Sequence, residues 1–217
     1  HHAAVPSRFR LKLFELSMDY LIKASVTYFI CVSKASKLAL HKYRKFPIDK
    51  IKVIYNGMDP NIPPAKINLR SKYRIQKKQK LIGCVANLRL HKGHEILIQA
   101  FNQIPNKDDY QILIIGRKYE PVFSNCTKLV QKFKLDKKII FCGFLDDHPS
   151  SLIAQLDLLV LPTLDFEAFG MVLGEAILCE VPVISTNVGA IPEILENKRH
   201  CLLVEPNSVN SLAEAMT

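Results

Sequence analysis

The stretch from Leu158 to Glu193, LLVLPTLDFEAFGMVLGEAILCEVPVISTNVGAIPE, decides how the rest of the chain is read. Asp157–Leu161 is a short apolar run that stops at Pro162 and reads as a buried strand. A loop follows, and a helix is predicted over Gly170–Cys179, opening on a glycine. Pro182–Ser185 is a second apolar strand, closed by a turn that holds Gly189 and a proline-started helix at Ile191. Two glutamates, Glu167 and Glu175, flank the first helix start.

Upstream and downstream the same alternation continues. Strands are predicted at Leu81–Ala86, Gln111–Ile115, Lys138–Cys142 and Cys201–Val204, with helices near Gly93–Ile104, Pro121–Phe133, Pro149–Gln155, Ile191–Leu195 and Ser208–Met216. The strands are unbroken apolar runs, which is the pattern of a parallel sheet covered on both faces. Alternating β and α units imply an α/β, doubly wound, Rossmann-like parallel sheet whose ligand lies beyond the carboxyl ends of the strands. A partial α/β segment precedes it, with a helix over Phe9–Ala24, a strand at Tyr28–Val32, a basic helix Lys34–Arg44 capped by Ser33, and a strand at Ile51–Tyr55. The proline-rich run Asp59–Pro64 fits no regular element. The expected organisation is therefore residues 1–58, a linker over 59–66, and a main domain over 67–217.

Composition narrows the class. Apolar residues make up 48% of the chain and charged residues 23%, enough to build a globular core. No apolar run reaches the ~18 residues of a membrane span, and no secretory leader is visible. The six cysteines lack metal-binding or disulfide-framework spacing, so reduced core thiols and a cytoplasmic setting are expected, with no metal site. The net charge of +10 is unevenly placed: residues 139–197 contain no lysine or arginine but nine carboxylates. Positive charge gathers in Arg8–Lys50 and Lys66–Lys80. Charge alone does not make a nucleic-acid binder, because interleaved aromatics and a recognised motif are missing. An amphipathic helix followed by a lysine-rich one suits peripheral contact with an anionic membrane.

The site residues follow from the loops after the strands. In one continuous helix Glu167 and Glu175 would be rotated apart by about 80° and separated by roughly 12 Å. A turn at Gly170 instead leaves Glu167 in the loop and Glu175 on the second helical turn. The amides of Gly170, Met171, Val172 and Leu173 then form a helix N-terminus suited to phosphate. That region has no cation of its own, so counter-charge must come from elsewhere. Lys92 before Gly93, Arg89 and, beyond Gly116, Arg117 are the donors in reach. His91 and His94 read as surface or packing histidines, and Glu193 as a residue of a helix start. Backbone around Gly116 and Phe144 is expected to wall the same cleft.

The segments EAFGMVLGEA and VPVISTNVGAIPEIL resemble the donor-site signature of retaining GT-B glycosyltransferases, the glycosyl transferases group 1 of the family 4 type. NLRLHKGHEILIQAF is similar to that family's first-loop motif, IDKIKVIYNGMD to its entry into the second domain, and LLVEPNSVNSLAEA to its late strand and helix. The resemblance implies a metal-independent transfer of a sugar from a nucleotide-diphosphate sugar, the donor substrate, with retention of configuration and no cofactor. It implies a glycan or lipid-linked acceptor, in glycan or cell-surface polysaccharide synthesis. By the same resemblance Glu175 holds the ribose hydroxyls and Glu167 the donor sugar, while Lys92, Arg89 and the Gly170–Leu173 amides meet the leaving diphosphate. Many members carry the arginine five residues before the lysine; that position is Asn87 here. The family's N-terminal acceptor domain is matched only by its last elements, so a fragment is expected. The alternative is a non-catalytic nucleotide-sugar-binding module or subunit.

Overall fold

A computed structural model describes residues 21–217. The expected helix Phe9–Ala24 falls mostly outside the described residues, and its remaining end, residues 21–25, is helical. The chain separates into two compact units between Tyr55 and Asn56.

In the first unit, β1 (Phe29–Cys31) pairs in parallel with β2 (Ile51–Val53), and α1 (Lys34–Arg44) connects them. Ser33 caps α1 by accepting the Ser36 N–H at 3.0 Å, which satisfies one of the amides that a helix start leaves without a partner. Cys31, Phe46 and Ile51 form a small core. The second strand stops at Val53, short of the expected Tyr55.

The second unit opens with irregular chain and a short helix, α2 (Leu69–Lys72), that the basic sequence did not announce. Asn68 caps it by accepting the Ser71 N–H. Then come β3 (Lys80–Val85), α3 (His94–Gln103), β4 (Tyr110–Ile115), α4 (Val122–Lys132), β5 (Ile139–Gly143), α5 (Pro149–Ile153), β6 (Leu158–Leu161), α6 (Met171–Leu178), β7 (Val183–Thr186), α7 (Ile191–Ile194), β8 (Leu202–Val204) and α8 (Val209–Ala215). The six strands β3 to β8 pair only in parallel, in the order β5-β4-β3-β6-β7-β8. Strand order reverses between β3 and β6, the switch point at which doubly wound sheets bind ligands.

Successive strand residues point to opposite faces, and each face has its own core. Ile82, Cys84, Ile112, Ile114, Val160 and Ile184 pack with Leu97, Phe101, Cys126 and Leu212 of α3, α4 and α8. Leu81, Leu113, Ile115, Leu159, Leu161 and Val183 pack with Leu69, Leu152, Leu173 and Ile191 of α2, α5, α6 and α7. Gly83 sits under α5, where an added Cβ would lie 2.2 Å from a Leu156 methyl.

The proline-rich run is irregular, as expected, but tied down. Ser151 Oγ donates to the Pro63 carbonyl at 2.6 Å, and Asp147 Oδ2 accepts the Lys66 and Ile67 amides at 2.8 and 3.0 Å. Met58, read from sequence as the end of the first segment, lies instead against α6 in the second unit. A Cβ on Gly174 would come within 2.0 Å of its methyl.

Candidate functional site

The loops that leave β3 and β6 meet at the switch point. After β3 the chain makes a 3-10 turn over Leu90–Lys92, then reverses at Gly93, whose φ of 69° is left-handed. A Cβ on Gly93 would stand 1.9 Å from the Pro162 carbonyl oxygen, so only glycine lets the two loops touch backbone to backbone. The Leu164 N–H donates to the His91 carbonyl at 2.8 Å and pins them further.

Glu167 is fixed from the other side. Ala190 donates its N–H to the Glu167 carbonyl at 2.8 Å, and a Cβ on Gly189 (φ 55°) would meet that carbonyl oxygen at 2.3 Å. Gly189, seen in sequence only as part of a turn, thus seats the Glu167 backbone. Across the cleft Lys92 Nζ donates to Glu167 Oε2 at 2.5 Å, and both side chains are largely shielded, with 20% and 12% exposure. The two charges expected to serve different parts of a ligand are held against each other.

Gly170 adopts φ 80° and caps α6, so Glu167 stays in the loop while Glu175 projects from the helix, the arrangement expected. One expectation is corrected. The Leu173 N–H donates to the Gly170 carbonyl at 2.9 Å, and the Leu173 side chain is buried in the core. Leu173 belongs to the first turn's own hydrogen bonding, and the mouth of α6 is built from Gly170, Met171 and Val172. These three line one cavity with Lys92, Arg89 and Glu167.

A second cavity, about 180 Å³, is lined by Gly116, Phe144, Leu145, Asp147, Pro149 and Leu152. It shares Val85, Ala86 and Asn87 with the first, so the two form one continuous groove over β3. Gly116 lets its loop close on that of β3, since a Cβ there would be 2.2 Å from the Ala86 oxygen. Asp147 is the acidic side chain in this wall, but its carboxylate already accepts the Lys66, Ile67 and His148 amides. This end of the groove therefore has mostly apolar walls, whereas the other end carries Arg89, Lys92 and Glu167.

Glu175 lines neither cavity. It is half-buried, and that desolvation raises its carboxyl above the ordinary value, with His148 pulling the other way. Arg89 is exposed, with its guanidinium carbon 4.8 Å from the centre of the Tyr119 ring. Asn87, which sequence reasoning marked only as a departure, accepts the Arg117 N–H at 2.9 Å and ties the β3 and β4 loops together. His94 is a packing histidine. Burial lowers its imidazole to about 4, so it is neutral at pH 7. Among the described residues no group of three His, Cys, Asp or Glu side chains is placed to hold a metal ion, and no helix is long and apolar enough to cross a membrane.

Residues 65–217 match the family Glycosyl transferases group 1. The chain is 31% identical over 208 residues to an uncharacterised glycosyltransferase of Methanocaldococcus jannaschii, covering 91% of this chain and 52% of that protein. It is 28% identical to N-acetyl-alpha-D-glucosaminyl L-malate synthase of Bacillus anthracis, covering 91% of this chain and 52% of that enzyme. Among solved structures, Anabaena HepE in complex with UDP and glucose superposes with a TM-score of 0.83 at 26% identity, over 93% of this chain and 56% of that one. The chain thus spans about half the length of the curated relatives it matches.

Proposed function

The chain belongs to the glycosyl transferases group 1, and on that premise we propose that it forms the donor-binding part of a glycosyltransferase that moves a sugar from a nucleotide diphosphate to an acceptor with retention of configuration. One observation carries the reading: a single groove joins a base-sized apolar cavity at Gly116 to a helix mouth and the Lys92 ammonium. Those are the parts a nucleoside diphosphate needs, in the order in which it needs them.

The base enters the cavity walled by Gly116 and Phe144. The diphosphate lies over Gly170, Met171 and Val172, where the α6 dipole and amides favour negative charge. As the sugar leaves, charge grows on the terminal phosphate oxygen, and Lys92 meets it without reorganising solvent. To do so Lys92 exchanges Glu167 for the phosphate. Glu167 is then released to accept hydrogen bonds from the sugar hydroxyls, so one substitution of partners arms both residues. Glu175 holds the ribose from the adjoining helical turn.

The relatives named in O-antigen biosynthesis support a glycan product, and UDP in HepE supports a nucleotide-sugar donor. Peripheral contact with anionic lipid belongs to the same reading. Helix α1 carries no acidic residue and exposes Leu38 and Tyr43 beside its basic side chains. Liposome flotation unchanged after Lys37, Lys42, Arg44 and Lys45 are reversed to glutamate removes that contact. The donor reading is tested by calorimetric titration with uridine, guanosine and adenosine diphosphates. One of them is expected to bind in a manner that Met171→Pro or Lys92→Ala weakens; binding of none contradicts the proposal.

A further inference from the structure

A cluster on the lip of the groove is not used by this mechanism. The loops after β3 and β4 are locked in register by the Leu88 and Lys118 bridge, with the Leu88 N–H donating to the Arg117 carbonyl at 2.9 Å. The Arg117 N–H donates in turn to Asn87 Oδ1. This places two exposed arginines beside one phenol. The Arg89 guanidinium lies over the Tyr119 ring, and that of Arg117 lies 5.4 Å from the centre of Phe144. The guanidinium of Arg89, and then that of Arg117, holds the Tyr119 hydroxyl below its ordinary value.

No ion pair engages either arginine among the described residues. Glu120 accepts the Ser124 hydroxyl at 2.6 Å and its amide at 3.2 Å, Glu95 accepts the Asn125 side-chain amide, and neither carboxylate is paired with these arginines. Lys118 adds a third positive charge, its ammonium 4.7 Å from the Phe123 ring. Arginines brought together without a carboxylate, and oriented by aromatic faces, are arranged to share an oxyanion. Arg89 also borders the Lys92 cavity, whereas Arg117 and Tyr119 line neither that cavity nor the one at Gly116.

We propose that Arg89, Arg117 and Tyr119 form a second oxyanion site, which takes a phosphate-type group in a forked grip on the lip of the groove. The group is a phosphate on the second substrate, since the donor's own phosphates are met at Lys92 and the α6 mouth. Arginine Nε–Hε resonances, followed while inorganic phosphate is titrated, read the site directly. The Arg89 and Arg117 signals are expected to move along one saturation curve. Arg117→Ala should weaken the Arg89 response about tenfold, and Arg117→Lys should restore only part because an ammonium lacks the fork. An unchanged curve in Arg117→Ala, or different midpoints for the two arginines in the wild type, overturns the proposal. Repeating the titration with saturating uridine diphosphate separates that source from the donor. A surviving curve assigns the anion to the second substrate, and a lost one places the arginines in the donor's own phosphate site and overturns the proposal. Inorganic phosphate carries no base or sugar, so this site and the nucleotide-sugar reading fail independently.

Discussion

The two loops that form the groove are built on opposite principles. The β6 loop holds its carboxylate by backbone: Glu167 is seated by the Ala190 amide and by the space that Gly189 leaves. The β3 loop holds its cation by side chain, since Lys92 is oriented by the ion pair with Glu167. A backbone seat persists when ligand arrives, whereas an ion pair is exchanged. On the proposed function, this difference makes Glu167 a positioning residue at a fixed point and Lys92 the charge that would move from carboxylate to phosphate.

The largest effect should come from the backbone seat. Gly93→Ala sets a methyl 1.9 Å from the Pro162 oxygen at a left-handed φ, and Gly189→Ala sets one 2.3 Å from the Glu167 oxygen, also at a left-handed φ. Each is expected to cost about 3 kcal/mol in urea unfolding, from strain and overpacking together. A cost under about 1 kcal/mol would show that the loops are free to part, and the contrast would fail.

Glu175 sharpens the ligand side. Glu175→Ala is expected to lose about 1.5 kcal/mol of nucleoside diphosphate affinity by calorimetry, the worth of a charged acceptor to hydroxyls. Burial raises the carboxyl in the folded state, so the native protein holds that proton more tightly than the unfolded chain does. Glu175 therefore subtracts stability as pH rises from the unfolded pKa through the raised folded one. In binding the ionised form is the better acceptor for ribose. Affinity should accordingly fall on acidification at a pH above the ordinary glutamate value, and Glu175→Gln should flatten that profile.

Asn87→Ala gives the smallest change. Removing the acceptor of the Arg117 amide should cost about 1 kcal/mol of stability, with the exposed N–H rehydrating. Faster amide exchange confined to residues 117–119 would show that the side chain, not the sheet, fixes the β4 loop.

Much of this was legible in the sequence. The six apolar runs of the main domain place β3 to β8 within a residue of where they fall, because strands buried on both faces leave no polar alternation to confuse. Gly170 was readable as a sharp turn at a helix start, and Gly93 only as the start of a helix. The short helix α2 was hidden by Arg70 and Lys72, whose charges mask the one buried residue, Leu69. The Leu173 amide was misassigned because a sequence does not show when the first helical turn tightens to a 3-10 bond. The pairing of Lys92 with Glu167 spans the switch point and has no local signal. Nor did Asp147 betray that three backbone amides consume its carboxylate.

If Lys92 exchanges Glu167 for phosphate, a double-mutant cycle on nucleoside diphosphate affinity will read the exchange. Lys92→Ala should weaken binding by about 2 kcal/mol, the loss of a charge-assisted contact. Glu167→Gln should tighten it several-fold, by roughly 1 kcal/mol, because Lys92 no longer leaves a carboxylate to reach the ligand. In the Lys92→Ala background Glu167→Gln should lose most of that gain. Strictly additive effects, or a Glu167→Gln protein that binds the diphosphate more weakly than wild type, would contradict the account.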